Sequence, residues 1–154
     1  MNVYLFDWGD TLMVDFPQNT GKMCEWETVE AIAGAKETLA VLSRKAKIYI
    51  ATGAADSTEQ EIKSAFDRVE LSQYISGYFC KENIGLEKGT AVFLNAIIST
   101  LAIPVSNITM VGDSFIKDIE PAISVGITPI WFTSNSEQLT SDNIRTIKRL
   151  SELT

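Results

Sequence analysis

The chain has 154 residues, a length suited to one domain with one core, and its 45% hydrophobic and 21% charged residues are those of an ordinary globular protein. The net charge of −7 excludes a non-specific grip on nucleic acid, which needs Lys and Arg to neutralise phosphates. There is no histidine, so Ser-His-Asp and Cys-His catalysis and His-ligated zinc are excluded together.

No apolar run approaches the ~20 residues that cross a bilayer, so no membrane association is expected. The opening residues Met1 to Asp7 carry no basic flank, which reads as neither a secretory signal nor a transit peptide. Cys24 and Cys80 stand far apart and suggest neither a zinc site nor a disulfide framework. A reduced cytoplasmic setting is the expectation.

Along the chain, short apolar runs alternate with helical periods. Val3 to Phe6 is an unbroken apolar run that ends at a turn, the pattern of a parallel strand buried on both faces. Ala35, Leu39 and Leu42 then mark a helix, and Ile48 to Ala51 a second strand. Ile62, Ala65, Phe66 and Val69 recur at i, i+3, i+4 and i+7, with Asp56 or Ser57 as the expected cap. Gly77 to Cys80 is a weaker strand, and Leu94, Ile97, Ile98 and Leu101 form the next helical stripe. Ile108 to Val111 is a strand, and Ile119, Ala122 and Ile123 form a helix with Pro121 in its first turn and Gly126 as its stop. Thr128 to Phe132 is the last strand, and Ile144, Ile147 and Leu150 suggest a C-terminal helix.

This alternation predicts an α/β fold: a Rossmann-like three-layer sandwich around a central parallel sheet, in a single domain over residues 1–154. Such sheets bind ligands at the carboxyl ends of their strands. The first strand ends in Asp7-Trp8-Gly9-Asp10-Thr11 and the second in Thr52-Gly53. Lys88 precedes the third long helix, and the Ile108 strand ends in Gly112-Asp113-Ser114, with Asp118 following. Each group alone is ordinary, since an Asp after a strand is usually a turn former. Acid, hydroxyl, lysine and acid pair at successive ends of one sheet is a pattern that packing has no reason to produce.

The set suits phosphoryl transfer. A carboxylate nucleophile is repelled by an anionic phosphate ester, and a magnesium ion between them removes that repulsion. Asp7 and Asp113 can supply two carboxylates to it, with Asp118 in support. Thr52 and Lys88 can hold the remaining phosphoryl oxygens and steady an aspartyl-phosphate.

The motifs resemble those of the haloacid dehalogenase superfamily, in which phosphatases predominate. The similarity runs from Val3 to about Phe132 and is most specific over Ile108-Thr109-Met110-Val111-Gly112-Asp113-Ser114 through Asp118 to Gly126. Tyr49-Ile50-Ala51-Thr52-Gly53 and Lys88 resemble two further motifs. The resemblance implies that Asp7 is the nucleophile and that Thr52, Gly53, Lys88 and Ser114 bind the phosphoryl group. It also implies a Mg2+ site of Asp7, Asp113, Asp118 and the Gly9 backbone carbonyl.

Two departures follow from the same comparison. The family's phosphatases usually carry an acid–base Asp two residues after the nucleophile, where this chain has Gly9, with Asp10 next to it. Acyl and aryl phosphates are then expected to outperform alkyl esters, unless Asp10 takes the acid–base role from an altered turn. The segment from Met13 to about Gly34 is too short for a lid domain, so a small capless member is implied, with the Asp15–Trp26 loop as local cover. Its partner is a small phosphorylated substrate or a phosphorylated macromolecule, and homo-oligomerisation is left open.

Three rival readings stand against this. A receiver-type phosphoacceptor domain places its acidic pair at the first strand, whereas here the pair comes last. A non-catalytic relative that binds a phosphorylated partner is favoured by Gly9 and opposed by the retention of Asp7, Thr52, Lys88, Asp113 and Asp118. A dehalogenase needs no magnesium and leaves Asp113 and Asp118 without a purpose.

Overall fold

The computed structural model describes residues 1–133 and 144–154. Its centre is strand β1 (Asn2–Phe6), flanked by β2 (Ala46–Ala51) on one side and β4 (Ile108–Gly112) on the other. Outward from these lie β3 (Gly77–Phe79) beyond β2, and then β5 (Thr128–Phe132) and β6 (Arg145–Ile147) beyond β4. Every pairing is parallel, in the order β3-β2-β1-β4-β5-β6. The chain first builds outward through β2 and β3, then returns to β4 and builds the other way. The direction of winding therefore reverses between β1 and β4, where open parallel sheets form a ligand crevice.

The pleat divides the core into two layers. Phe6, Ile48, Ile50 and Val111 face α1 (Ala35–Leu42) and α2 (Glu59–Arg68), which contribute Leu39, Leu42, Ile62 and Phe66. Val3, Leu5, Ile108 and Met110 face the other way, onto Phe93, Leu94 and Ile97 of α4 (Ala91–Leu101) and Ala122 of α5 (Glu120–Val125). Both faces of the strands are thus buried, which is why they read as unbroken apolar runs. A single turn, α3 (Lys81–Ile84), precedes α4.

Two expectations need correction. Ile144, Ile147 and Leu150 do not form a helix: Arg145–Ile147 is the edge strand β6, paired with β5, and Leu150–Leu153 is a short 3-10 turn. Ile147 and Leu150 are nonetheless buried, so the three-residue spacing of apolar positions reports burial and not helix. Glu152 fixes the turn by accepting the N–H groups of Lys148 and Arg149. The α2 cap is neither Asp56 nor Ser57 but Thr58, whose hydroxyl accepts from Glu61 N while Glu61 returns the bond to Thr58 N. The box needs a Ser or Thr three residues before a Glu or Gln, and Thr58 with Glu61 satisfies it one turn position later than expected.

Among the described residues no cap domain interrupts the fold. The segment between β1 and α1 contains one short helical turn, Met23–Glu25, and isolated bridges that pair Gly9 with Met13 and Met13 with Ala31, and otherwise runs as irregular chain. Arg68, at the end of α2, pins it by donating to the carbonyls of Cys24, Trp26 and Glu27. Lys22 adds an ion pair to Glu61, and the Phe16 and Trp26 rings pack at 6.4 Å. No helix among the described residues is long and apolar enough to cross a membrane.

Candidate active site

Asp7 is the first residue past β1, and its backbone N–H donates to Val111 O of β4 at 3.0 Å, which locks it beside the end of that strand. Asp113 follows β4 directly, and its carbonyl accepts the Trp131 indole N–H at 3.0 Å. The two carboxylates are bridged by a hydroxyl: Thr11 Oγ1 lies 3.2 Å from Asp7 Oδ2 and 3.3 Å from Asp113 Oδ1. Lys88 reaches in from the loop before α4, with its Nζ 2.6 Å from Asp7 Oδ1 and 2.6 Å from Asp118 Oδ1.

Asp118 arrives by an unusual route. Between β4 and α5 the chain makes a wide π-helical turn over Phe115–Ile119, of the kind that often marks functional sites. That turn swings Asp118 back under the end of β4, where its Oδ2 accepts the Ser114 N–H at 3.1 Å. The approach is possible only because residue 112 is glycine. A Cβ there would lie 2.2 Å from Asp118 Oδ2 and 2.5 Å from Asp118 Cβ, closer than real Cβ contacts. Gly112→Ala should therefore expel Asp118 from Lys88 and Ser114. We expect turnover to fall by at least tenfold in a protein that still folds; wild-type activity in that variant would contradict this packing account.

These groups line a cleft of about 310 Å³ at the β1/β4 crevice. It brings together Asp7, Gly9, Asp10 and Gly53 with Lys88, Asp113, Ser114 and Asp118. Thr52 is the exception among the expected residues. It is buried, it lines a neighbouring cleft of about 270 Å³, and its hydroxyl accepts the Ala54 N–H at 3.1 Å. Asp10 lines the main cleft with one carboxylate oxygen already accepting the Asp15 N–H at 3.0 Å. Thr11, Asp15 and Lys117 were not singled out as site residues from sequence, yet Thr11 bridges the carboxylates and the other two line the cleft. A larger cleft of about 490 Å³ between α2 and β3 contains none of these groups.

The electrostatics of the cleft are unbalanced. Oxygen atoms of Asp7, Asp113 and Asp118 lie within 4.8 Å of one another, and one lysine faces them. Burial opposes the charge on Asp7, but the Lys88 ammonium and the hydrogen bonds around the carboxylate outweigh it and hold its pKa below the ordinary value. Burial likewise opposes the charge on Lys88, and Asp7 and Asp118 overcome it, so its pKa is raised. Asp113 has no such cation. Burial, its hydrogen bond with Asp7 and the charges of Asp7 and Asp118 push its pKa up to about 7. Burial also raises Asp118, to about 6, against the pull of Lys88. Within this cluster three carboxylates and one ammonium leave two negative charges when all are ionised, and a pKa of about 7 lets Asp113 take up a proton near neutral pH; Asp10, Asp15 and Lys117 line the same cleft around it. Hard carboxylate oxygens in this number fit a divalent cation.

A model of the haloacid dehalogenase-like hydrolases matches residues 7–126, from the residue after β1 to the glycine that stops α5. The chain belongs to this hydrolase family. No curated protein matches the hydrolase by sequence. Among solved structures, it is similar to an uncharacterized protein from Listeria monocytogenes serotype 4b, with TM-score 0.85 and 21% identity over 99% of this chain and 94% of that one. It is similar to YfnB from Bacillus subtilis in a crystal form bound to magnesium, with TM-score 0.78 and 15% identity over 99% and 96% of the two chains. A 2-haloacid dehalogenase from Pseudomonas syringae pv. Tomato DC3000 gives TM-score 0.78 and 14% identity, again over 99% and 96%. At these identities the likeness establishes the fold of the hydrolase and not its substrate.

Proposed function

We propose that this hydrolase is a magnesium-dependent phosphatase that passes a phosphoryl group from an ester to Asp7 and then to water. The observation that supports this most is the charge excess around Asp7. Displacement of a halide from carbon needs no metal beside the nucleophile, whereas a phosphate ester places its negative charge on the very group that the carboxylate attacks, so three clustered carboxylates make a cation there necessary. The magnesium-bound YfnB structure is in keeping with a metal in this fold.

Asp7 Oδ attacks phosphorus, held ionised by Lys88, whose ammonium also faces the incoming phosphoryl oxygens. Asp118 acts through Lys88 and the Ser114 backbone, keeping both in place. Gly53 and Ser114 line the cleft where the other phosphoryl oxygens lie. Magnesium held by Asp7, Asp113 and the Gly9 carbonyl would neutralise the phosphoryl charge. With no cap domain over the cleft among the described residues, the substrate is a small phosphorylated molecule or a phosphorylated group on a macromolecule.

The test is a hydrolysis screen of sugar phosphates, nucleotides, acyl phosphates and phosphopeptides, with magnesium and with a chelator. Release of inorganic phosphate only with magnesium supports the reading; halide release from haloacids with no phosphate release from any ester sinks it. Magnesium must also displace the proton from Asp113, so its affinity should rise as pH goes from about 6 to 8 and level off above. Titration calorimetry at several pH values checks this, and an affinity flat over that range would contradict it.

A further inference from the structure

When an alkyl ester breaks at phosphorus, the leaving oxygen becomes an alkoxide unless a proton reaches it. The donor must therefore stand where the phosphoryl site meets the leaving-group site. The structure contains such a boundary. The cleft around Asp7 adjoins the one walled by Trp8, Met23 and Trp26, and among the described residues only Gly9 and Asp15 line both. Gly9 has no side chain, so among the described residues Asp15 is the one that brings an ionisable group to both spaces.

The backbone explains how Asp15 reaches this point. Asp10 adopts a left-handed conformation, φ 60°, and its N–H donates to Met13 O, turning the chain back toward Gly9. The Asp10 carboxylate then accepts the Asp15 N–H at 3.0 Å. A Cβ placed on Gly9 would lie 3.4 Å from Asp15 Cβ and 3.7 Å from its Oδ2. The Asp15 carboxylate thus occupies the neighbourhood that a side chain at residue 9 would reach.

Resting on the phosphatase reading above, we infer that Asp15 is the general acid and base of this hydrolase, with Asp10 as its positioning residue. In the first step an Asp7 oxygen bonds to phosphorus and the ester P–O bond breaks. The electron pair stays on the leaving oxygen, which takes the Asp15 carboxyl proton, and the alcohol departs into the Trp8–Trp26 cleft. In the second step water bonds to phosphorus while the Asp15 carboxylate takes its proton. The P–O bond to Asp7 breaks, returning the Asp7 carboxylate and releasing inorganic phosphate. The preference for acyl and aryl phosphates expected from Gly9 alone then does not arise.

The experiment compares kcat/KM for glycerol phosphate, whose alkoxide needs a proton, and dinitrophenyl phosphate, whose phenolate does not, with magnesium present throughout. For Asp15→Asn the glycerol phosphate value should fall ~100-fold or more. The dinitrophenyl phosphate value should fall by less than a tenth of that factor. Gly9→Asp combined with Asp15→Ala should recover much of the alkyl turnover, because the backbone of Gly9 does not require a glycine, the Asp15 Cβ that remains is at ordinary contact distance, and the space of its carboxylate is vacated. Equal losses on both esters, no loss on either, or a selective loss in Asp10→Asn but not in Asp15→Asn overturns the assignment. A wild-type protein that hydrolyses both esters keeps the phosphatase reading in each of those cases; one inert toward every ester sinks both together.

Discussion

Asp7→Asn should remove turnover of every substrate by at least ~10⁴-fold, the scale expected when a nucleophile is lost, while the fold survives. The substitution is close to isosteric. The Asp7 backbone bond to Val111 O does not involve the side chain, and an amide oxygen can still accept from Thr11. Lys88 keeps its second partner, Asp118, at 2.6 Å. What disappears is the charged oxygen that attacks phosphorus. The same change should bring Asp113 down from about 7, because Asp7 supplies both the hydrogen bond and a large share of the charge that raise it. The checks are steady-state turnover and mass spectrometry of protein quenched during turnover, in which the wild type carries a phosphoryl group and Asp7→Asn does not. A folded Asp7→Asn protein that hydrolyses esters at the wild-type rate would remove Asp7 from the mechanism.

The parts of this site that were legible in the sequence are those tied to strand ends. Asp7 and Asp113 each follow an apolar run that can only be a buried parallel strand, so their place at one edge of one sheet follows from topology. The conspicuous Gly112-Asp113 pair and Asp118 were legible as a motif. Why residue 112 must be glycine was not, because the reason is the Asp118 carboxylate passing under the strand through a π-helical turn. Asp15 was illegible as a site residue for a similar reason. Its approach depends on a left-handed residue at Asp10 and on a loop held by Arg68 from α2, contacts that span some 40 positions of chain. Thr52 shows the converse: its strand-end position was right, but the direction of its hydroxyl is set by the turn to Ala54. The C-terminal segment was misread because Ile147 and Leu150 are buried from two different elements that share a helical spacing. Three-residue strands carry too few positions for a period of two to show.

Lys88→Met should produce the second large effect, on stability as well as activity. The lysine side chain is 6% exposed and stands between two carboxylates at 2.6 Å each. Methionine keeps most of its length and apolar stem but removes the cation that is paired with both Asp7 and Asp118. Removing one partner of a buried ion pair typically costs ~3–5 kcal/mol, because the remaining charge is left without compensation. The sign of the pH dependence identifies the cause. In the wild type, the depressed pKa of Asp7 contributes stability that is present above the ordinary carboxylate pKa and lost as pH falls through the folded value. The raised pKa values of Asp113, about 7, and Asp118, about 6, act the other way: their contribution is complete below the ordinary carboxylate pKa and is lost as pH rises toward 7. Without Lys88 its lowering influence on Asp7 and its pull on Asp118 both vanish, so both carboxylates shift toward holding their protons more tightly in the folded state, as Asp113 already does. Lys88→Met should therefore be most unstable near pH 8, with a melting temperature roughly 6–20 °C below wild type, and should recover much of the gap at pH 5. Thermal unfolding in the presence of a chelator at the two pH values measures this directly. Equal destabilisation at pH 5 and pH 8 would mean that the lysine stem, and not its charge, supports the site.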